Sequence, residues 1–126
     1  MSDAKTIAKV YSGYQAALHA ANAADFDDLL LQTAAMLKQS AAVREECRAR
    51  WQYLLIDEYQ DVNALQVDLV RALRCAAPGL TLVGDDAQAV YAFRGASPKH
   101  LLDVDGVFPG IATVVLERNY RSTQQI

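Results

Sequence analysis

The segment YLLIDEYQD at residues 53–61 decides how the rest of the chain is interpreted. It begins with an apolar run that carries no charge, and the run breaks directly into two adjacent carboxylates, Asp57 and Glu58. A strand that is hydrophobic at every position is typical of a parallel sheet covered on both faces, and ligands gather beyond the carboxyl ends of such strands. The segment therefore predicts a buried strand that carries two acids to a ligand-binding edge.

Two neighbouring acids at a strand end can divide the chemistry of phosphate hydrolysis between them. The first, Asp57, can hold a magnesium ion, usually through its waters, and the second, Glu58, can orient or deprotonate the attacking water. The alternative is structural, because every buried strand must end in polar residues and acidic loops are often only solvated surface. The nine residues by themselves leave both interpretations open.

The whole-chain numbers indicate one compact domain. The chain has 126 residues, 52% of them hydrophobic and 21% charged, which argues against disorder and allows a real core. Its net charge of −3 provides no global basic footprint for nucleic acid, so any such contact needs a local patch. Cys47 and Cys75 lack metal-site spacing, and we predict reduced thiols in a cytoplasmic protein with no membrane segment.

The first half of the chain is predicted to be helical. Apolar residues recur at helix spacing in a first helix, namely Ile7, Val10, Tyr11, Tyr14 and Leu18. Asp25 is well placed to cap a second helix, whose apolar stripe is Phe26, Leu29, Leu30, Ala34 and Leu37. A third helix is expected over residues 41–50, and its arginines are interpreted as a solvated face.

After Trp51 the pattern changes to alternating strands and helices. The strand at residues 53–57 is followed by a helix that ends at Pro78-Gly79, and a second strand covers residues 80–84. A short helix begins after Pro98, and a third strand is predicted at residues 112–116. This order implies parallel crossovers in an α/β layer.

The segment VGDDAQAVYAFRGA at residues 83–96 begins at the end of the second strand. Gln88 can donate to a phosphate oxygen and so report whether the phosphate is present. The aromatic residues Tyr91 and Phe93, beside Arg94, could stack on bases, which is worth about 1–3 kcal/mol per base and is indifferent to sequence. Packing of the two aromatic residues into the core is the alternative.

The segment LERNYRS at residues 116–122 places Tyr120 and Arg121 in a loop after the third strand. An arginine delivered to a γ-phosphate stabilises the charge of the transition state, with effects on the order of 10³–10⁵ in rate. One arginine after a strand is weak evidence for a nucleotide site. The evidence is stronger because three such loops follow one another in order.

The segments at residues 55–63, 83–96 and 116–122, in this order and spacing, resemble motifs II, III and IV of the UvrD/Rep/PcrA group of superfamily 1 DNA helicases. The segment DFDDLL at residues 25–30 also resembles the stretch that precedes motif II in that group. The resemblance implies an α/β fold with part of a RecA-like P-loop motor domain and a helical N-terminal part. It covers most of the chain, from about Tyr11 onward.

The resemblance also implies a role for each matching residue. Asp57 would bind Mg²⁺, Glu58 would be the catalytic base for ATP hydrolysis, and Gln88 would sense the γ-phosphate. The remaining implied contacts are single-stranded DNA for Tyr91, Phe93 and Arg94, the adenine for Tyr120, and the γ-phosphate for Arg121. The implied enzyme is a cytoplasmic 3′ to 5′ helicase of DNA repair, replication or recombination that acts on single-stranded DNA and single/double-strand junctions.

The chain departs from the group in one large respect. It has no GxxxxGK[ST] loop, and no Gly-Lys dipeptide anywhere, although that loop cradles the β- and γ-phosphates. Ala89 also stands where the group commonly has serine, and Phe93 where many members have tryptophan. The simplest account is a piece of a longer helicase. The alternative is a truncated, non-catalytic DNA- or protein-binding module, and the reading frame upstream of Met1 distinguishes the two.

As a piece of a helicase, the chain divides into three parts. Residues 1–50 would be a helical segment of motor domain 1, and residues 51–111 its α/β RecA-like part. Residues 112–126 would be the first strand and the motif IV loop of motor domain 2.

Overall fold

The computed structural model describes residues 2–74, 79–89, 99–123 and 125. Within these ranges the helices are α1 (Ser2–Ala20), α2 (Phe26–Gln39), α3 (Ala41–Arg50), α4 (Ala64–Leu73), α5 (Lys99–Leu102) and α6 (Val104–Val107). The strands are β1 (Leu54–Ile56) and β2 (Leu80–Leu82), and single 3₁₀ turns cover Tyr59–Asp61 and Asp86–Gln88. Cys75 and the predicted DNA-contacting residues Tyr91, Phe93 and Arg94 lie outside the described ranges.

The three predicted N-terminal helices form, and their ends have clear local causes. Helix α1 ends at Ala20, and Asn22 follows in the left-handed conformation with a φ of 50°. The backbone N–H of Ala23 donates to the carbonyl of Leu18, and that of Asn22 to His19, which is a Schellman motif. Helix α2 begins with a complete capping box between Asp25 and Asp28. The cap predicted for Asp25 is therefore confirmed.

The interpretation of the α3 arginines as a solvated face is wrong for two of them. Arg44 donates from Nη1 to the carbonyl of Leu37 at 2.7 Å, and Arg48 donates from Nε to the carbonyl of Ala72 at 2.9 Å. Both carbonyls lie in the last turns of their helices, where backbone acceptors lack partners. The two arginines therefore join α3 to the ends of α2 and α4.

The two strands form a parallel pair joined by α4. Leu54 is paired with Leu80, Leu55 with Thr81, and Ile56 with Leu82. A Cβ on Gly79 would overlap the carbonyl oxygen of Gln52, so only glycine fits where the chain enters β2. The observed architecture is helix-rich α/β with a small parallel sheet.

Three predictions about the elements need correction. Strand β1 is not covered on both faces, because Leu55 is 72% exposed. Helix α4 ends at Leu73, earlier than the predicted stop at Pro78-Gly79. Residues 112–116 form no strand, because no described strand lies beside them to supply backbone partners, and Leu116 is 89% exposed. The assignment of residues 112–126 to a second motor domain remains a prediction.

The core lies between the sheet, α4 and the two C-terminal helices. The fully buried rings of Tyr59 and Phe108 meet at 6.4 Å between centroids in a tilted arrangement. Three valines complete the buried cluster, namely Val62, Val67 and Val70. Tyr59 directly follows Glu58, so the core anchors the turn that carries the candidate site. In the part of the chain that the structure describes, no helix has the length and apolarity to cross a membrane.

Candidate functional site

The carboxyl end of β1 turns sharply and presents Asp57 and Glu58 to solvent. Asp57 accepts a hydrogen bond at Oδ1 from the backbone N–H of Glu58 at 2.9 Å. Glu58 has a φ of 52° and a ψ of 43°, in the left-handed region that residues with a Cβ rarely adopt. Strain of this kind persists only where the surroundings enforce it, and it is concentrated at functional sites. The backbone thus points to Glu58 as a site residue independently of its chemistry.

The carboxyl end of β2 presents a second polar turn beside the first. Asp85 caps the 3₁₀ turn Asp86–Gln88 by accepting from the N–H of Ala87 at 3.0 Å. Its other carboxylate oxygen, Oδ2, accepts from Nε2 of Gln88 at 2.7 Å. The predicted phosphate sensor is therefore held in place by the acid that starts its own turn.

Backbone hydrogen bonds place the two turns on the same edge of the sheet. Val83 donates its N–H to the carbonyl of Ile56 at 2.8 Å, and Tyr59 donates to the carbonyl of Val83 at 2.9 Å. These bonds continue the parallel pairing past the last residue of each strand. Asp57, Glu58 and Gln88 therefore share one edge, as parallel strands with adjacent carboxyl ends require.

Gln60 connects the two turns through its side chain and is 1% exposed. Its Nε2 donates to Oε2 of Glu58 at 2.6 Å, and its Oε1 accepts from the backbone N–H of Asp85 at 3.0 Å. A hydrogen-bonded path thus runs from Glu58 through Gln60 and Asp85 to Gln88. Bonds to a charged acceptor are the stronger kind, so the first link is expected to hold the carboxylate of Glu58 firmly.

Gly84 makes room for this connection. A Cβ built on Gly84 would lie 2.9 Å from Oε1 of Gln60 and 3.3 Å from Cδ2 of Leu101. An alanine there would force the side-chain amide of Gln60 to shift. The close approach of Gln60 favours glycine here, whereas the backbone conformation of Gly84 is ordinary.

Four carboxylates stand at this edge in two adjacent pairs, Asp57 with Glu58 and Asp85 with Asp86. Among the described residues, no lysine or arginine forms an ion pair with any of them. A polyphosphate would be repelled by this edge unless cations came with it. The edge therefore suits an anionic ligand that arrives with a metal ion.

The donor set fits Mg²⁺. Magnesium is commonly bound by one or two carboxylates together with waters and substrate phosphates, and does not need a full protein cage. Asp57 is exposed, and its Oδ1 alone is used in the hydrogen bond to Glu58, which leaves Oδ2 for a metal-bound water. The described residues contain no group of three or more metal-binding side chains.

The third predicted loop is formed, and its described contacts lie within the loop itself. The side-chain oxygen of Asn119 accepts from the backbone N–H groups of Arg121 and Ser122 at 2.9 and 3.1 Å. The guanidinium of Arg118 lies 5.1 Å from the ring centroid of Tyr120, which is 82% exposed. Within the described residues, no hydrogen bond, ion pair or ring contact joins this loop to Asp57, Glu58 or Gln88.

The sequence-based interpretation missed Gln60, Asp85 and Gly84. Gln60 stands two positions after Glu58, and only a tight turn brings side chains at that separation together. The periodicity of a strand or helix contains no sign of such a turn. The available signal was the uncharged amide within an acidic segment, and its partner 25 positions away is visible only in the folded chain.

Comparisons with known proteins agree with the resemblance seen in the motifs. The family model for the UvrD/REP helicase N-terminal domain matches residues 2–109. The chain is 48% identical to ATP-dependent DNA helicase UvrD2 of Mycobacterium tuberculosis, over 98% of this chain and 18% of the relative. It is 45% identical to UvrD1 of the same species, over 98% and 17%. It is 41% identical to ATP-dependent DNA helicase Rep of Escherichia coli, over 97% and 18%.

Proposed function

The chain belongs to the UvrD/Rep helicase family, and from this premise we propose that it is part of an ATP-dependent DNA helicase. The enzyme hydrolyses ATP to move 3′ to 5′ along single-stranded DNA and to unwind duplexes at single/double-strand junctions. Repair, replication or recombination of DNA in the cytoplasm is the corresponding cellular role.

The proposal concerns a longer protein. The chain spans less than a fifth of the length of the curated relatives it matches. A phosphate-binding loop from elsewhere in that protein would complete the nucleotide site, because this sequence has no Gly-Lys dipeptide. We call this longer chain the complete protein. Its motor domain would have the RecA-like architecture, which is a parallel sheet flanked by helices.

The single observation that supports the proposal most strongly is the shared edge of β1 and β2. An acid that suits Mg²⁺, Asp57, stands next to a strained and firmly held carboxylate, Glu58, and both lie beside the turn of Gln88. Bound Mg²⁺ would neutralise charge on the β- and γ-phosphates. Phosphoryl transfer depends mainly on positioning and electrostatic stabilisation, and preorganised acids on a rigid edge provide both.

The protein's own residues divide the hydrolysis as follows. Glu58 orients the attacking water and takes its proton. Gln88 donates from Nε2 to the γ-phosphate when ATP is bound, exchanging its bond to Asp85 for one to phosphate oxygen. Tyr120 stacks on the adenine, and Arg121 contacts the γ-phosphate once the motif IV loop closes over the nucleotide. Tyr91, Phe93 and Arg94 hold single-stranded DNA by stacking and charge.

The test is the substitution Glu58→Gln in the complete protein. ATP binding should persist, because an amide retains the size and most contacts of the carboxylate. DNA-stimulated hydrolysis should fall by about 10² or more, the usual scale for loss of a general base. Equilibrium binding of a fluorescent ATP analogue and steady-state phosphate release measure the two effects separately.

The matched control is Glu46→Gln, the same change of carboxylate to amide on the exposed face of α3. It should leave both binding and turnover unchanged. Normal turnover by Glu58→Gln would remove Glu58 from the role of base. The isolated 126-residue chain supplies a second test, since it should not hydrolyse ATP with or without DNA, and DNA-stimulated turnover by it would contradict the need for a separate phosphate-binding loop.

A further inference from the structure

We propose that Gln60 is a positioning residue that couples the catalytic carboxylate of Glu58 to the phosphate-sensing turn of Gln88. The inference rests on the proposed function, because it concerns the same hydrolysis. In this proposal the buried amide of Gln60 fixes the position of Glu58 relative to Gln88. Gln60 itself contacts neither water nor phosphate in this scheme.

The first support is that both ends of the amide are used, and on different turns. Nε2 of Gln60 donates to Glu58 on the β1 side, and Oε1 accepts from the N–H of Asp85 on the β2 side. The side chain is 1% exposed, so water does not compete readily for either bond. A glutamine amide in this place is a rigid spacer between the two turns.

The second support is that the base has little else to hold its side chain. Glu58 is exposed, and the 2.6 Å bond from Gln60 is the one hydrogen bond to its carboxylate among the described residues. Without that bond the carboxylate would be free to rotate through solvent-exposed rotamers. Misplacement of a catalytic group by about 1 Å can cost on the order of 10²-fold in rate.

The third support is the continuation of the path to Gln88. The backbone N–H of Asp85 donates to Oε1 of Gln60. The carboxylate of Asp85 accepts from Nε2 of Gln88 at 2.7 Å. When Gln88 turns to a γ-phosphate, Asp85 loses that partner and its turn is free to adjust. Because Gln60 holds the same residue through its backbone, the adjustment reaches Glu58 through one intermediate side chain.

Gly84 adds a steric observation about the same amide. A Cβ there would come within 2.9 Å of Oε1 of Gln60 and would have to displace it. Gly84→Ala should therefore disturb the coupling without changing any hydrogen-bonding group. Two substitutions at different residues are thus expected to produce the same defect.

The experiment compares Gln60→Met and Gly84→Ala with the parent, all in the complete protein. Methionine keeps the length and burial of the side chain but removes both hydrogen bonds. We expect kcat for DNA-stimulated ATP hydrolysis to fall by about 10²-fold for Gln60→Met, while the Kd for ATP stays within about twofold. Gly84→Ala should lower kcat in the same direction, again with ATP binding retained.

The control for simple destabilisation is Val70→Ala, a truncation in the core cluster that touches no hydrogen bond of the site. Assayed well below its melting temperature, it should keep the parent kcat. Hydrogen exchange followed by mass spectrometry supplies a readout besides activity. Peptides covering residues 83–89 should exchange faster in Gln60→Met than in the parent, because the N–H of Asp85 loses its acceptor, and should be unchanged in Val70→Ala.

The outcomes separate this inference from the proposed function. A parent-like kcat for Gln60→Met, together with loss of turnover in Glu58→Gln, would overturn the positioning role and leave the helicase proposal standing. Unchanged exchange over residues 83–89 would equally overturn the coupling. Normal turnover by Glu58→Gln would defeat the proposed function itself. Loss of kcat with retained ATP binding and faster exchange supports the coupling.

Discussion

At the scale of single residues, the backbone of Glu58 is the most informative feature. A residue with a Cβ in the left-handed region lowers the stability of the fold by roughly 1–2 kcal/mol. Glu58 lies in this region, with a φ of 52°. Its neighbours Asp57 and Tyr59 are held by the sheet edge and by the core, so the strain cannot relax locally. The strained backbone thus lowers stability but fixes the direction of the Glu58 carboxylate.

This strain predicts an unusual order of stabilities. Glu58→Gly should be more stable than Glu58→Ala by about 1 kcal/mol, because both lose the same side-chain bond while only alanine keeps the strained Cβ. Urea unfolding measures the difference. The same pair of substitutions at Glu46, within α3, should show the opposite order, with alanine ahead by about 1 kcal/mol. Equal stabilities at position 58 would contradict the strain.

Tyr59 is the second informative residue. Its ring is fully buried, and its hydroxyl has no hydrogen-bond partner among the described residues. Burial raises the pKa of the Tyr59 hydroxyl above its ordinary value of 10.0, and the charge of Arg71 acts in the opposite sense. Because the folded pKa is the higher one, ionisation favours the unfolded chain. The stability associated with the neutral hydroxyl is complete below about pH 10 and is lost as the pH rises through the folded pKa.

Tyr59→Phe should therefore change stability in two ways. At neutral pH it should raise the free energy of unfolding by about 1 kcal/mol, since a buried hydroxyl without a partner is removed. Above pH 10 it should lose less stability than the parent. Urea unfolding between pH 8 and about pH 11 measures both effects. Tyr53→Phe, at an 80% exposed ring, is the control and should follow the parent curve.

At the scale of elements, the start of α2 joins two helices through one cap. Asp25 accepts from the N–H of Asp28, and its Oδ2 accepts from the hydroxyl of Tyr14 on α1 at 2.8 Å. Asp28 is buried and accepts from Nε2 of Gln15 at 3.1 Å. The capping box thus also sets how α1 meets α2.

The cap predicts an acid-dependent loss of stability. The N–H of Asp28, and then the Tyr14 hydroxyl, lower the pKa of Asp25 from its ordinary 3.8. The stability that ionised Asp25 contributes is present above its ordinary pKa and is lost as the pH falls through the lower pKa of the folded state. Asp25→Asn retains a cap acceptor without a titration, so its melting temperature should fall less steeply below pH 4 than the parent's.

At the scale of the whole molecule, several large apolar side chains are left exposed. Leu55 on the sheet is 72% exposed, and Val114, Val115 and Leu116 are 79%, 75% and 89% exposed. Contiguous apolar surface in a soluble chain marks an interface or a tendency to associate. Under the proposed function, other parts of the complete protein would cover these residues.

The isolated chain should therefore self-associate in a concentration-dependent way. Sedimentation velocity over a hundredfold range of concentration should show a rising average mass. The double substitution Val115→Lys with Leu116→Lys should reduce the association, because it replaces exposed apolar side chains with charged ones. Thr113→Lys adds charge beside them without removing apolar surface and should have a smaller effect. A parent chain that stays monomeric throughout would contradict this expectation.

Local patterns in the sequence were sufficient for the three N-terminal helices, the Asp25 cap and the two paired strands. Asp25 caps α2 as predicted, and the apolar runs at residues 53–57 and 80–84 contain β1 and β2. These features depend on neighbours within a few positions, so periodicity and capping residues specify them. The edge shared by Asp57, Glu58 and Gln88 also follows from sequence, because adjacent parallel strands bring their carboxyl ends together.

Only the tertiary structure decided what depends on partners far along the chain. The amide of Gln60 spans 25 positions to reach Asp85, and Arg48 spans 24 to reach Ala72. Residues 112–116 have the composition of a strand, yet they form none, because a strand needs backbone partners that the described chain does not place beside them. Side-chain bridges and sheet membership depend on which distant groups come within hydrogen-bond distance, and the spacing of residues along one segment cannot specify that.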